Sequence, residues 1–237
     1  MSNDSGVSVF RGKNGLWTER IHLRGNSYSH KELLNHHAFI DNRVDAWQFI
    51  NNLKSTFNKN RPHSGYYKLL KALSDKNYFV VTSNCDEYFS RAGFNENRIL
   101  EIHGSIYDYQ CLDGCGNEIW CHEKESIAPN CPECGKNCRP NVKLFDDWHW
   151  ISTKAKDQES RYLSWLKNIK TKNEKILVIE IGAGKTIATI RLLAEKIAGD
   201  MNSLVRINSY DHEVSKPNFI SIPKSAIEGI DDLIKNQ

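Results

Sequence analysis

Four cysteines supply the plainest chemistry in the chain. Cys111 and Cys115 stand in QCLDGC, and Cys131 and Cys134 in NCPECGKNC, with fifteen residues between the pairs. Two short clips joined by such a loop can bring four thiolates onto one ion, the pattern of a structural zinc site. The CPECG knuckle is tight, whereas the first clip, with three intervening residues, is looser. The plainer alternative is a cluster of unbound thiols in a reducing compartment. Cys85, Cys121 and Cys138 are left over. Cys121 and Cys138 lie close enough to compete as ligands, although Cys138 follows Cys134 by only four positions and would crowd the knuckle.

Two further segments could carry chemistry. His103 ends the strand-like run ILEIHGS just before the first clip. An imidazole titrates near neutrality and suits proton transfer; the alternative is a histidine that merely ends a strand and caps a loop. The turn IEIGAGKTIATI sits between a strand-like and a helix-like run, where glycines let backbone approach a phosphate at a helix N-terminus. A Walker A loop would need glycine at Ile179, so that reading fails. An E-x-G-x-G turn of methyltransferase type matches Glu180, Gly182 and Gly184, but the third glycine is absent and only about fifty residues follow. A dinucleotide fingerprint also wants a third glycine, where Ile187 stands. A turn used only for tight strand–helix packing stays open beside these.

These groups need a scaffold, and the patterning predicts one. Val44–Phe57 reads as a helix with Trp47, Ile50, Leu53 and Phe57 on one face. Pro62 opens a second helix with Tyr67, Leu69, Leu70 and Leu73 as its buried side. Asn77–Asn84 and ILEIHG read as buried strands around a helix-like DEYFSRAG. After the cysteines, KILVIEI, SLVRIN and NFISIP read as strands, with helices at TIATIRLLAEKIAG and SAIEGIDDLIK. Strands alternating with helices predict an α/β fold, a Rossmann-like parallel sheet with helices on both faces. The expected organisation is a nucleotide-binding domain over residues 1–105 and 139–237, with a helical segment at 28–75 and a small zinc-binding module inserted at 106–138.

Composition narrows the setting. The chain has 237 residues, a formal charge of +3 and seven cysteines. The small charge and the lack of basic runs with interleaved aromatics do not indicate nucleic acid. No signal-peptide pattern or membrane-length apolar run is visible, so no membrane is expected. Clustered, odd-numbered cysteines suit a reducing, cytoplasmic location. Oligomeric state is not legible.

Taken together, six segments in order resemble the sirtuin family, the NAD-dependent protein deacylases. DSGVSVFRG (Asp4–Gly12) resembles ESGIPTFRG, TSNCD (Thr82–Asp86) resembles TQNID, and EIHGS (Glu101–Ser105) the catalytic-histidine segment. The cysteine pairs fall where the family keeps its zinc ribbon. RPNVKLFDD (Arg139–Asp147) resembles RPDVVWFGE, and Ile181–Gly184 and Ile207–Asn208 take the places of the GTS turn and the adenosine-side asparagine. The resemblance implies NAD as co-substrate, one structural zinc on Cys111, Cys115, Cys131 and Cys134, and an acylated lysine peptide or protein as partner. It implies His103 as general base toward a ribose hydroxyl and Asn84 holding the ribose and a water. Asp86 would bond the nicotinamide carboxamide or cap the helix that follows it. Phe10 and Arg11 would cover the nicotinamide pocket. Ser83 would line the cofactor site, and Gly182, Ala183, Gly184 and Asn208 its pyrophosphate–adenosine side. The peptide would add as a strand between Leu144–Asp147 and the Gly184 region.

The chain also departs from the pattern. The family's strand and G-A-G turn precede the segment that Met1 opens here, which leads us to expect a shortened form whose parallel sheet lacks a central strand. Ser83 replaces glutamine, and Asp146 replaces the glycine of FGE. NAD hydrolysis, or a non-catalytic ADP-ribose or protein-binding module, are the alternatives. Trp148 and Trp150 are expected to pack in the core rather than meet substrate.

Overall fold

The computed structural model of the chain describes residues 1–7, 19–116, 118–121, 128–199 and 203–235. The chain opens on a 3-10 turn, Ser2–Ser5, and a small hairpin of β1 (Ile21–Leu23) and β2 (Asn26–Tyr28). A helical layer follows: α1 (His30–Leu33), α2 (Ala38–Asp41), α3 (Arg43–Lys59) and α4 (Ser64–Ala72). In α3, Trp47, Ile50 and Phe57 are buried as the 3.6-residue period requires. In α4 the expected inward face needs correction. Tyr67 is 47% exposed and Tyr66 is 0% exposed. Counting from Tyr66 puts Leu69, Leu70 and Leu73 on the inner stripe, whereas counting from Tyr67 would bury Lys71 and Ser74.

β3 (Val80–Thr82), α5 (Tyr88–Arg91) and β4 (Ile99–Glu101) come next, and β3 pairs with β4 in parallel. The chain then runs through β5 (Gly104–Cys111), β6 (Ile119–Cys121) and β7 (Cys138–Val142), an antiparallel sheet in the order β6-β5-β7. α6 (Thr153–Thr171) packs on β4. This helix escapes a reading for apolar runs because its face is sparse: Tyr162, Leu166 and Ile169 at helical spacing among charges. The last part is β8 (Leu177–Ile181), α7 (Thr189–Ala198), β9 (Ser203–Ile207), β10 (Ile220–Ile222) and α8 (Ala226–Lys235). Its three strands pair in parallel in the order β10-β9-β8. Leu204 faces the cluster that contains Ala194 and Ala198 of α7, while Ile207 on the other face shares the main core with Ile230 of α8. Helices therefore cover both faces, as expected.

The parallel strands form two sheets rather than one. Among the described residues β3 and β8 do not pair with each other. A cavity of about 1880 Å³ lies between them, lined from Asn77 and Ile176 at one end to Asn84 and Gly182 at the other. The effect on burial is plain. β9 has a strand on each side, and Leu204 and Ile207 are 0% and 1% exposed; on β8 Leu177 is 49% exposed. Among the described residues no helix is long and apolar enough to cross a membrane.

Candidate active site

The metal clip is built by β5 and by the loop before β7. Cys111 ends β5, and Gly114 turns the chain at φ +64 toward Cys115. The second clip is a knuckle closed by Gly135 N–H to Cys131 O at 2.9 Å and Cys131 N–H to Lys136 O at 2.7 Å. The four sulfurs lie within 4.8 Å of one another, with Cys111–Cys134 at 3.7 Å and Cys115–Cys131 at 3.5 Å. Zn–S bonds of about 2.3 Å in a tetrahedron separate sulfurs by about 3.8 Å, so the donor set and its spacing fit zinc. The competing thiols are used elsewhere: Cys138 donates to Pro129 O at 3.0 Å and Cys121 to Asp108 Oδ1 at 3.4 Å. The clip is tied to the helical layer through Trp47 Nε1–H to Cys138 O at 3.1 Å and Arg43 to Ala128 O at 2.7 Å.

Four segments meet in the cavity between the two parallel sheets. Ser83, Asn84, Asp86, His103, Gly182, Ala183, Gly184 and Asn208 all line the cavity between the sheets. They come from the carboxyl ends of β3, β4, β8 and β9, where parallel sheets hold their ligands. His103 is fixed by its backbone. Its carbonyl accepts Lys143 N–H at 2.9 Å, and Gly104 follows at φ +74. A Cβ at Gly104 would stand 2.1 Å from Asn141 O, so only glycine lets β5 start there. Phe10 and Arg11 lie outside the described residues.

Asp86 is buried, and desolvation pushes its carboxyl above the usual range. Ser2 Oγ–H donates to Asp86 Oδ2, Asn84 Nδ2–H donates to Ser2 Oγ at 2.7 Å, and Tyr88 N–H donates to Asp86 Oδ1 at 3.0 Å. Asp86 thus also caps α5. Ser2 completes this corner and was not suggested by any motif. The same N-terminal turn reaches the other sheet. A Cβ at Gly182 would stand 3.2 Å from Met1 N, and Asp4 Oδ2 accepts Ile227 N–H at 2.9 Å at the start of α8.

The glycine turn is held from below. Gly182 has φ +71, a conformation that favours glycine, and Gly182 N–H donates to Ile207 O at 2.9 Å. Asn208 spends both ends of its side chain here: Nδ2–H donates to Ala183 O at 3.0 Å, and Oδ1 accepts the amides of Tyr210 and Asp211, each at 3.0 Å. Asn208 therefore positions the turn. Glu180, the acidic residue of the E-x-G-x-G pattern, is not free for a ribose. It takes Arg206 bidentately, at 2.7 and 2.8 Å, with both side chains fully buried, and Arg206 also reaches Glu195 at 2.9 Å. That removes the methyltransferase-type reading.

Glu101, behind His103, is buried against α6. Gln158 Oε1 accepts its N–H at 2.9 Å, and Lys154 lies 3.9 Å from its carboxylate and 2.5 Å from Asp108. Burial pushes the Glu101 carboxyl up to about 7. Trp148 contradicts the expectation of core packing. It is 94% exposed, because the buried Arg139–Asp147 ion pair, at 2.7 Å, pins the loop before it and turns the indole outward.

The Sir2 family model matches residues 1–161. The chain belongs to the Sir2 family. A relative from Aquifex aeolicus, an NAD-dependent protein deacylase, is 31% identical over 151 residues, which cover 62% of this chain and 58% of that protein. The chain thus spans under two thirds of the length of the curated relatives it matches. Among solved structures, a sirtuin studied for the structural basis of its substrate affinity superposes with a TM-score of 0.72 at 20% identity, covering 99% of this chain and 89% of the other. A Sir2–p53 peptide–NAD+ complex superposes at 0.67 with 19% identity, covering 99% and 88%. The parallel α/β fold of this Sir2 member is therefore that of the solved sirtuins.

Proposed function

We propose that this chain is an NAD-dependent protein-lysine deacylase, a transferase that consumes NAD and moves an acyl group from lysine to ADP-ribose. The observation that carries the reading is convergence. An imidazole, an amide, a carboxylate and a glycine turn from four separate segments line one cavity at the carboxyl ends of parallel strands. Membership of the Sir2 family supports the chemistry.

On this reading NAD lies with its pyrophosphate along Gly182–Gly184 and its nicotinamide ribose near Asn84 and His103. Asp86, whose carboxyl burial pushes above its ordinary range, can bond the nicotinamide carboxamide. The acyl-lysine carbonyl oxygen bonds to the anomeric carbon as the glycosidic bond to nicotinamide breaks. His103 takes the proton of a ribose hydroxyl, whose oxygen attacks the acyl carbon. The lysine nitrogen leaves with that proton, and water adds to the acyl carbon bridging the two ribose oxygens, breaking its bond to the oxygen on the anomeric carbon and leaving O-acyl-ADP-ribose. Zinc on Cys111, Cys115, Cys131 and Cys134 would serve structure, since four thiolates leave no position for water.

The peptide edge is narrower than simple strand addition suggests. The amides of Lys143, Leu144 and Phe145 already donate to His103 O, Asp147 Oδ2 and Leu34 O. What this edge offers a peptide is acceptors, not those donors. Asp146, exposed at the cavity edge where a peptide would lie, favours a second reading, NAD hydrolysis with water as acceptor. The clustered cysteines, four of them placed as metal ligands, suit a reducing, cytoplasmic setting.

The test follows nicotinamide release from NAD by the zinc-loaded chain, with and without an acetyl-lysine peptide. Release that needs peptide supports deacylation, and release that ignores peptide supports hydrolysis. No release in either arm sinks both. His103→Ala should lower peptide-dependent turnover by about 10²–10⁴-fold while leaving zinc content unchanged.

A further inference from the structure

The loop after β7 carries two adjacent aspartates with opposite fates. Asp147 is buried on Arg139 at 2.7 Å and also accepts the amides of Leu144 and His149, each at 3.1 Å. Asp146 is exposed, lines the cavity that holds His103, and sits at φ +51. Among the described residues no hydrogen bond or ion pair engages its carboxylate. The same loop carries three aromatic rings. Lys31 Nζ lies 5.6 Å from the Phe145 centroid and Lys143 Nζ 5.9 Å from that of Trp150. Trp148 is 94% exposed, and among the described residues no cation covers it. The loop thus binds a lysine on two of its rings and leaves the third ring open, two positions from an unpaired carboxylate.

We infer that Asp146 and Trp148 form a subsite for a cationic side chain, a lysine or arginine of the peptide whose acyl-lysine enters the cavity. The inference rests on the peptide reading of that cavity and adds the class of sequence it selects. A guanidinium or ammonium can take the carboxylate edge-on and lie over the indole face, the most favourable ring for a cation. The backbone amides of Lys143–Phe145 are spent internally, so the loop faces a ligand with acceptors, which matches a donor-only cation. Lys31 and Lys143 are held over rings and leave the carboxylate open to a ligand. At an exposed site each contact contributes about two- to fivefold in affinity.

The test is fluorescence anisotropy of short labelled peptides with the zinc-loaded full chain. One pair carries acetyl-lysine flanked by arginine or by uncharged citrulline. A second pair replaces acetyl-lysine with norleucine. The wild-type chain should bind the arginine peptides about fivefold more tightly than the citrulline peptides at low salt, with the ratio falling toward one in about 0.5 M salt. Asp146→Asn and Trp148→Ala should each cut that ratio, and the double variant should abolish it. Both side chains are exposed, and thermal unfolding of each variant checks that the fold is kept. A ratio near one in the wild type, or one that survives in the double variant, overturns the subsite. If arginine matters but acetylation does not, the subsite stands and the deacylase reading falls; the reverse pattern sinks the subsite alone. No binding of any peptide overturns both.

Discussion

The cysteine clip and the slot between the sheets are opposite solutions to holding a chain together. In the clip, four sulfurs from two short turns already stand at tetrahedral spacing, and α3 pins the module through Trp47 and Arg43. In the slot, two parallel strands face each other across a cavity of about 1880 Å³ with no strand pairing between them among the described residues. The clip is local and complete. The slot depends on partners far apart in sequence, and its walls show the cost: Leu177 is half exposed on β8 while Leu204 on β9 is fully buried. The candidate active site lies at one end of the slot, so its groups meet in space but are supported on one side by the less finished part of the fold. The N-terminal turn spans the gap there, with Ser2 on Asp86 and Asp4 on α8.

Removing a ligand from the clip should have the largest effect. Structural zinc contributes about 10–16 kcal/mol of apparent binding free energy in small modules. Cys131→Ser should therefore lower zinc from one ion per chain to a small fraction by elemental analysis and unfold the module, as a strong chelator should. Survival of bound zinc in that variant would break the comparison at its firmer end.

Next comes the buried ion pair under the glycine turn. Among the described residues, Arg206→Met leaves the buried Glu180 with only Arg191, 3.9 Å away, and should cost about 3 kcal/mol, measured by urea unfolding; a change under about 1 kcal/mol would show that Arg191 or water takes over the carboxylate. The closed interior and the slot-facing edge of the β10-β9-β8 sheet can then be contrasted directly. Leu204→Ala, in the closed part, should cost about 2–5 kcal/mol, whereas Val178→Ala, on the slot wall, should cost less than about 1 kcal/mol. Hydrogen exchange should likewise be faster in β3 and β8 than in β5 and β9. Equal losses and equal protection would mean that the slot is closed in solution.

A pH-dependent effect concerns Glu101. Its carboxyl titrates near 7 in the fold and near its ordinary value of 4.5 when unfolded, so the folded state binds the extra proton between those values. Stability should fall as pH rises from about 4.5 to about 7, by up to about 3 kcal/mol. Glu101→Gln should flatten that slope in urea midpoints measured across the window.

Much of this was legible because the signals were local. Cysteine spacing pointed to the clip, and the strand-end positions of Asn84, His103 and Gly182 placed them at the carboxyl ends of parallel strands. What escaped was non-local. Ser2 beneath Asp86, and the Arg206 that occupies Glu180, carry no motif, since each matters only through a partner distant in sequence. α6 was hidden by charges on its outer face. Tyr66 and Tyr67 differ only in helical phase, which a short apolar pattern does not resolve and burial does. Trp148 was assigned to the core on hydrophobicity alone, whereas the Asp147–Arg139 pair decides that it faces solvent. Phe10 and Arg11 lie outside the described residues.

The central claim is that four separated segments make one dinucleotide cleft. Backbone NMR of the zinc-loaded chain titrated with NAD addresses it directly. The amides of Ser83–Asp86, His103, Gly182–Gly184 and Asn208 should shift together with one saturation curve, while those around Cys131–Cys134 stay still. Shifts confined to one segment, or none at saturating NAD, would contradict the account.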